Sequence, residues 1–264
     1  MLRSELYFLA SGVIDGGLVS DSLQSRLIDL RSRISSTAKE QGRNSAEIIL
    51  IGVSKTRTAE EIVAAYQLGL SDFGENRVQE AFVKCAEVNL LIGIESGIRK
   101  ICWHLIGHLQ SNKVNRAVEL FEVIHSIDTV DLARRVGEAA GSIGKVVNCY
   151  VQVNASEEAT KSGTSFAEAE YVASSIVAQN SLRLLGFMTI GPLTDDVTAV
   201  EDSFKRLQDL RDSIEKIHPD WGKLGLSMGM SNDFELAIAC GSTTVRVGSA
   251  LFGERDYSQG FGSA

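Results

Sequence analysis

Residues 48–61 read "IILIGVSKTRTAEE". An apolar, β-leaning run from Ile48 to Val53 stops at Ser54 and Lys55, and a helix-like pattern begins at residue 59. Unbroken apolar runs of this kind suit strands that are buried on both faces, as in parallel sheets covered by helices. Such a strand delivers Lys55 to the edge of a core, which raises the question of what an amine does there.

Outward from this unit the same alternation repeats. Strand-like runs fall at 47–54, 71–74, 101–106, 122–127, 146–153, 182–190, 223–228 and 243–247. Helical patterns fall between them at 59–68, 77–89, 111–118, 130–141, 165–179, 196–217 and 232–240. A further amphipathic helix over residues ~21–41 precedes the first strand, with Leu23, Leu27, Leu30 and Ile34 at helical spacing. Strand–helix alternation implies right-handed crossovers and a parallel sheet. Eight repeats point to a closed (β/α)8 TIM barrel. An open doubly wound sheet is the alternative. The count of eight weakens it, as does the lack of a G-x-G-x-x-G turn after the first strand. The polar stretch 89–100 reads as a surface insertion. Residues 1–20 read as an N-terminal extension with little order of its own, and 21–264 as one barrel domain.

Composition narrows the function. The 264 residues carry a net charge of -8, which argues against nucleic acid as a partner. No apolar run approaches the ~18–20 residues of a membrane helix. Cys85, Cys102, Cys149 and Cys240 are widely spaced and suggest neither a zinc site nor a disulfide framework. A cytoplasmic protein with reduced thiols is expected. No exposed apolar stripe stands out in the pattern, so a monomer is expected.

Active sites of such barrels lie where the strands end. The strand ends here deliver Lys55, Asn76, His104, His125 and Asp128, Met188, Ser227 and Met228, and Arg246. Each has a plain reading. Lys55 fits a solvated loop edge, His104 a satisfied core histidine, Met188 and Met228 packing, Asn76 a helix cap; His125 and Asp128 look structural. The last two loops are harder to set aside. "SMGMSND" (227–233) and "RVGSALFG" (246–253) place Ser231, Gly248 and Ser249 after strands seven and eight, the recurring phosphate site of these barrels. Barrel closure puts strand eight beside strand one. A phosphate there would lie within reach of Lys55, whose amine can form a Schiff base with an aldehyde on the same ligand. Phosphate, aldehyde and lysine together describe pyridoxal 5′-phosphate. Arg246 fits near its ring nitrogen, which would leave that nitrogen unprotonated and the electron sink weak.

The combined motifs "VSKT" (53–56), "FGENRVQE" (73–80), "WHLIGHLQSNK" (103–113), "KSG" (161–163), "GFMTIGP" (186–192) and "LSMGMSNDFELAIACGSTTVRVGSALFGER" (226–255) resemble the pyridoxal phosphate homeostasis protein family over residues ~21–257. The resemblance implies the fold of the alanine racemase N-terminal domain, with the cofactor carried on Lys55. It implies phosphate contacts at Ser227, Met228, Ser231, Gly248 and Ser249, and ring-side contacts at Asn76, His104, Met188 and Arg246. It also implies a non-catalytic role in cofactor buffering and delivery and in amino-acid and keto-acid balance, with cofactor-requiring apoenzymes as transient acceptors. Many relatives carry threonine at the Ser249 position, and the hydroxyl is retained. The competing expectation is a weak amino-acid racemase. That chemistry needs a tyrosine base from an added β-domain, and the chain ends soon after strand eight, with Tyr257 the tyrosine nearest the last loop. A phosphate-binding barrel without the Schiff base is the plainest reading.

Overall fold

The computed structural model describes residues 17–93, 100–156 and 162–254. Its eight strands are β1 Ile49–Val53, β2 Asp72–Glu75, β3 Cys102–Leu105, β4 Val123–Ile127, β5 Val147–Gln152, β6 Leu182–Met188, β7 Gly225–Ser227 and β8 Thr244–Val247. They form a closed, parallel barrel in chain order, and β1 pairs with β8 as well as β2. The helices are α1 Gly17–Glu40, α2 Ala59–Gln67, α3 Val78–Ile92, α4 Val114–Leu120, α5 Val130–Ser142, α6 Ala169–Val177, α7 Val197–Ile217, α8 Phe234–Ala239 and α9 Ser249–Phe252.

Alternation along each strand sorts the side chains. Outward residues such as Phe73, Trp103, Leu105, Ile124 and Phe187 are buried beneath the helices and make the main core. Inward residues fill the barrel, where Met188, Tyr150 and Val123 pack together. The β1–α2 turn ends in a capping box. Thr58 Oγ1 accepts from Glu61 N, and Glu61 Oε2 accepts from Thr58 N.

The helix α1 closes the ring where α8, only six residues long, is too short to cover its strands. It packs on α8 and α9. Arg26 Nε donates to Leu251 O at 2.7 Å, and Arg33 makes a two-pronged pair with Glu235.

Several expectations shift at their edges. The first helix begins at Gly17, four residues before the expected boundary, and residues 1–16 lie outside those described. The expected insertion at 89–100 begins as the last turn of α3, which runs to Ile92; 94–99 lie outside the described residues. The short α9 after β8 has no counterpart in the sequence pattern. The expected lack of an exposed apolar stripe does not hold on α3, where Phe82, Val83, Leu90 and Leu91 are all exposed.

Candidate functional site

Lys55 leaves the C-terminal end of β1 and reaches the mouth of the barrel. The next residue, Thr56, has φ of 64°, the only non-glycine left-handed residue among those described. A β-branched side chain in that region is strained, at a cost of about 1–3 kcal/mol, so the turn is held by its surroundings. The restraint is visible. Lys84 on α3 donates from Nζ to Ser54 O and to Glu75 Oε1, both at 2.8 Å, and Ser54 Oγ donates to the same carboxylate at 2.7 Å. Glu75 is fully buried. This ion pair pins the residue just before Lys55.

A cavity of about 710 Å3 opens at the mouth. Lys55, Ser231, Arg246, Gly248 and Ser249 all line it, together with Arg57 and residues 192–195 of the loop after β6. The Gly248 and Ala250 amides converge on Ser231 Oγ, at 3.2 and 3.3 Å. Two N–H groups aimed at one oxygen form a cradle that suits an anion. The β7 turn beneath is tight. Gly229 has φ of 97°, and a Cβ there would lie 2.6 Å from Ala237 Cβ. Only glycine lets α8 approach this closely.

Arg246 is 4% exposed. It donates from Nη1 to Ser227 Oγ at 2.7 Å and from Nη2 to Thr189 O at 2.8 Å, both neutral acceptors. Burial pulls its pKa down to about 10, with the charge of Asp233 working in the opposite direction. A cation buried against neutral oxygens at a cavity wall favours a ligand that brings negative charge or a lone pair.

Not every expected residue reaches the cavity. Ser227 is fully buried below it, its hydroxyl shared between Arg246 and His125 Nδ1, the latter at 2.9 Å. Met228 belongs to the core outside the barrel, and Met188 packs inside it. His104 also lies inside, with Nδ1 3.0 Å from His125 Nε2 and Nε2 3.1 Å from Asp72 Oδ1. Asn76 lines a separate cavity of about 620 Å3 with Gly107 and His108, on the β2–β3 side of the mouth. Its Oδ1 is buried without a hydrogen-bond partner. A Cβ on Gly107 would lie 2.2 Å from Asn76 O, so glycine is required there. Lys161 of "KSG" and Tyr257 lie outside the described residues. His125, expected to be structural, is a link in a polar row, stacked on Tyr150 with centroids 4.6 Å apart. Pro192 closes the motif "GFMTIGP", but the rest of this lining, Leu193 to Asp195, carried no signal in the sequence beyond its place after a strand.

Comparison with known proteins agrees with this geometry. The model of the alanine racemase N-terminal domain matches residues 37–256. A Haemophilus influenzae protein named pyridoxal phosphate homeostasis protein is 36% identical over 237 residues, 90% of this chain and 98% of the relative. A Vibrio alginolyticus protein of the same name is 38% identical over 90% of this chain and 99% of its own. The chain belongs to the pyridoxal phosphate homeostasis protein family. The solved structure of PipY from Synechococcus elongatus with PLP bound superposes with a TM-score of 0.75 at 35% identity, over 88% of this chain and all of that one. A crystal structure of an unknown protein from Bifidobacterium adolescentis gives 0.81 at 35% identity, over 92% and 99%. An alanine racemase from Clostridium difficile gives 0.67 at 15% identity, over 89% of this chain and 57% of that one, a likeness of fold. Among the described residues, no helix is long and apolar enough to cross a membrane.

Proposed function

We propose that this chain tethers pyridoxal 5′-phosphate through Lys55 and holds it for release to cofactor-requiring apoenzymes, without turning over an amino acid itself. The observation that carries this reading is the convergence of Lys55, Arg246 and the β7–β8 backbone on one cavity. The residues present fit the group. The hydroxyls of Ser231 and Ser249 supply donors for its phosphate, and the amides of Gly248 and Ala250, which donate to Ser231 Oγ, orient the first of them. Arg246 supplies a buried donor for the ring nitrogen, and Lys55 an amine for the aldehyde. Asn76, expected on the ring side, lines the neighbouring cavity, where its buried Oδ1 has no hydrogen-bond partner. When bound, the cofactor supplies an electrophilic carbon and an electron sink.

The residues around the cavity support holding over turnover. Arg246 donates and does not accept, so it leaves the ring nitrogen unprotonated and the sink weak. The described tyrosines lie elsewhere. Tyr150 is inside the barrel against Thr244 Oγ1 at 3.2 Å, Tyr171 faces solvent from α6, and Tyr66 sits on α2. The sequence similarity to proteins named for cofactor homeostasis favours the same reading.

The test is direct. Purified chain is incubated with pyridoxal 5′-phosphate, reduced with borohydride and mapped by peptide mass. The adduct should sit on Lys55 and be absent from Lys55→Ala. An adduct elsewhere, or none, overturns the tether. Lys55-dependent racemisation of alanine at an enzyme's ordinary rate overturns the carrier role.

A further inference from the structure

The end of the barrel opposite Lys55 brings three unlike ligand types together. Asp72 and Cys102 are register partners at the starts of β2 and β3. His104 follows Cys102 by two residues and shares its face of the strand. One carboxylate oxygen, one Sγ and one ring nitrogen from these three all lie within 4.8 Å of one another. Asp72 and Cys102 are partly exposed and His104 is buried, so solvent reaches the cluster from below.

We infer that this floor cluster binds one zinc-class divalent cation through Asp72, Cys102 and His104, with water in the fourth position. Thiolate, imidazole and carboxylate are the donors such an ion takes, and three protein ligands plus water is one of its two usual arrangements. With metal–ligand bonds of about 2.0–2.3 Å, the edges of the tetrahedron are roughly 3.3–3.8 Å. His104 Nε2 and Asp72 Oδ1 stand 3.1 Å apart and need only open slightly. Two ligands already have the outer partner that fixes a metal ligand's orientation. Ser71 Oγ donates to Asp72 Oδ2 at 2.7 Å, and His125 Nε2 meets His104 Nδ1. Lys100, the cation beside Cys102, is engaged with Glu122 at 2.8 Å. The spacing of cysteines along the chain hides this site, because its ligands come from two strands and only one is a cysteine.

Occupancy of the floor reaches the cavity. Arg246 only donates and an ionised Asp72 only accepts. With one proton on each ring, every bond between them runs downward: Arg246 to Ser227, Ser227 to His125 Nδ1, His125 Nε2 to His104 Nδ1, His104 Nε2 to Asp72. A cation on His104 Nε2 reverses the two bonds above it. His104 then carries its proton on Nδ1, His125 carries its own on Nδ1, and Ser227 turns its hydroxyl hydrogen away. Each ring keeps one proton, and the proton released to solvent is that of the Cys102 thiol. This coupling rests on the cofactor occupying the cavity; the metal site does not.

The experiment titrates the full chain, free of cofactor, with cobalt(II). One cobalt per chain should bind with a thiolate-to-cobalt charge-transfer band and be displaced by zinc. Cys102→Ser and Cys102→Ala should lose the band, and Asp72→Asn should weaken binding. His125→Gln, which keeps all three ligands, should bind about 10-fold more weakly. Lys55→Ala should bind as the unaltered chain does, so failure of the cofactor assignment leaves this result standing. Circular dichroism checks that each variant is folded. Absence of a stoichiometric band, or equal cobalt uptake by folded Cys102→Ala, overturns the site. In the cofactor-loaded chain, zinc should shift the cofactor's absorbance, and that shift should vanish in Cys102→Ala. Zinc bound with no shift overturns the coupling.

Discussion

The mouth and the interior of this barrel are both rich in polar groups, yet they use them in opposite ways. At the mouth, Lys55, Ser231 and Ser249 border open space. A few ångströms below, Ser227, His125, His104 and Asp72 are bonded to one another in an unbroken row. Buried polar groups without partners are costly, so the interior must satisfy itself. The mouth faces solvent or a ligand and can leave donors available. Arg246 belongs to both regions: it lines the cavity and hangs the row beneath it. A functional rim above a self-satisfied row is therefore a division of labour by burial.

The largest effect should come from removing the amine at the mouth. Lys55→Ala should abolish the borohydride-trapped adduct while leaving thermal stability close to that of the parent, because Lys55 is partly exposed. A large fall in Tm would mean that the mouth supports the fold as much as the interior does. Next, Lys84→Met should leave the Glu75 carboxylate buried and unpaired, at a cost of about 3–5 kcal/mol. Urea unfolding measures this, and a change below about 1 kcal/mol would show that the pair does not hold the β1 tip.

Ser227→Ala tests the junction. It strips an acceptor from Arg246 and a donor from His125 Nδ1, for an expected loss of about 1–3 kcal/mol. Cofactor retention, read by dialysis, should weaken while the adduct still forms. Complete loss of the adduct would make Ser227 part of the mouth rather than of the row. The smallest effect belongs to the outer wall. The hydrogen bond from Arg33 holds Glu235 below the usual carboxylate range. A lowered carboxylate adds stability that is present above its unfolded value and lost as pH falls through the folded one. Both side chains are more than a third exposed, so screening limits the pair to ~0.5 kcal/mol. Arg33→Ala should show that deficit at neutral pH and lose it in acid, measured by urea midpoints across the pH range.

Much of this was legible in the chain. The β1–α2 unit, the eight-fold alternation and the two serine–glycine loops depend on local pattern, and each appears where the pattern placed it. Edges were less legible. α3 stops at Gly93 (φ 74°) and α9 at Gly253 (φ 86°), signals present in the chain, but the apolar run through Leu90 and Leu91 is exposed and a four-residue helix is too short for a period to show. His104 is the instructive residue. Its position on an apolar strand was plain, but whether it turned to the mouth or to the floor depended on the register between β2 and β3 and on His125 from β4.

By itself the sequence determined the strand–helix period, the residues at each strand end and the motifs shared with the family, because these are local in the chain. Only the tertiary structure decided which strand-end residues share a cavity, that Ser227 lies beneath it, that Asn76 stands apart, and that Asp72, Cys102 and His104 meet. Those facts depend on the closure, register and alternation of the barrel, which bring into contact residues whose separation along the chain carries no record of it.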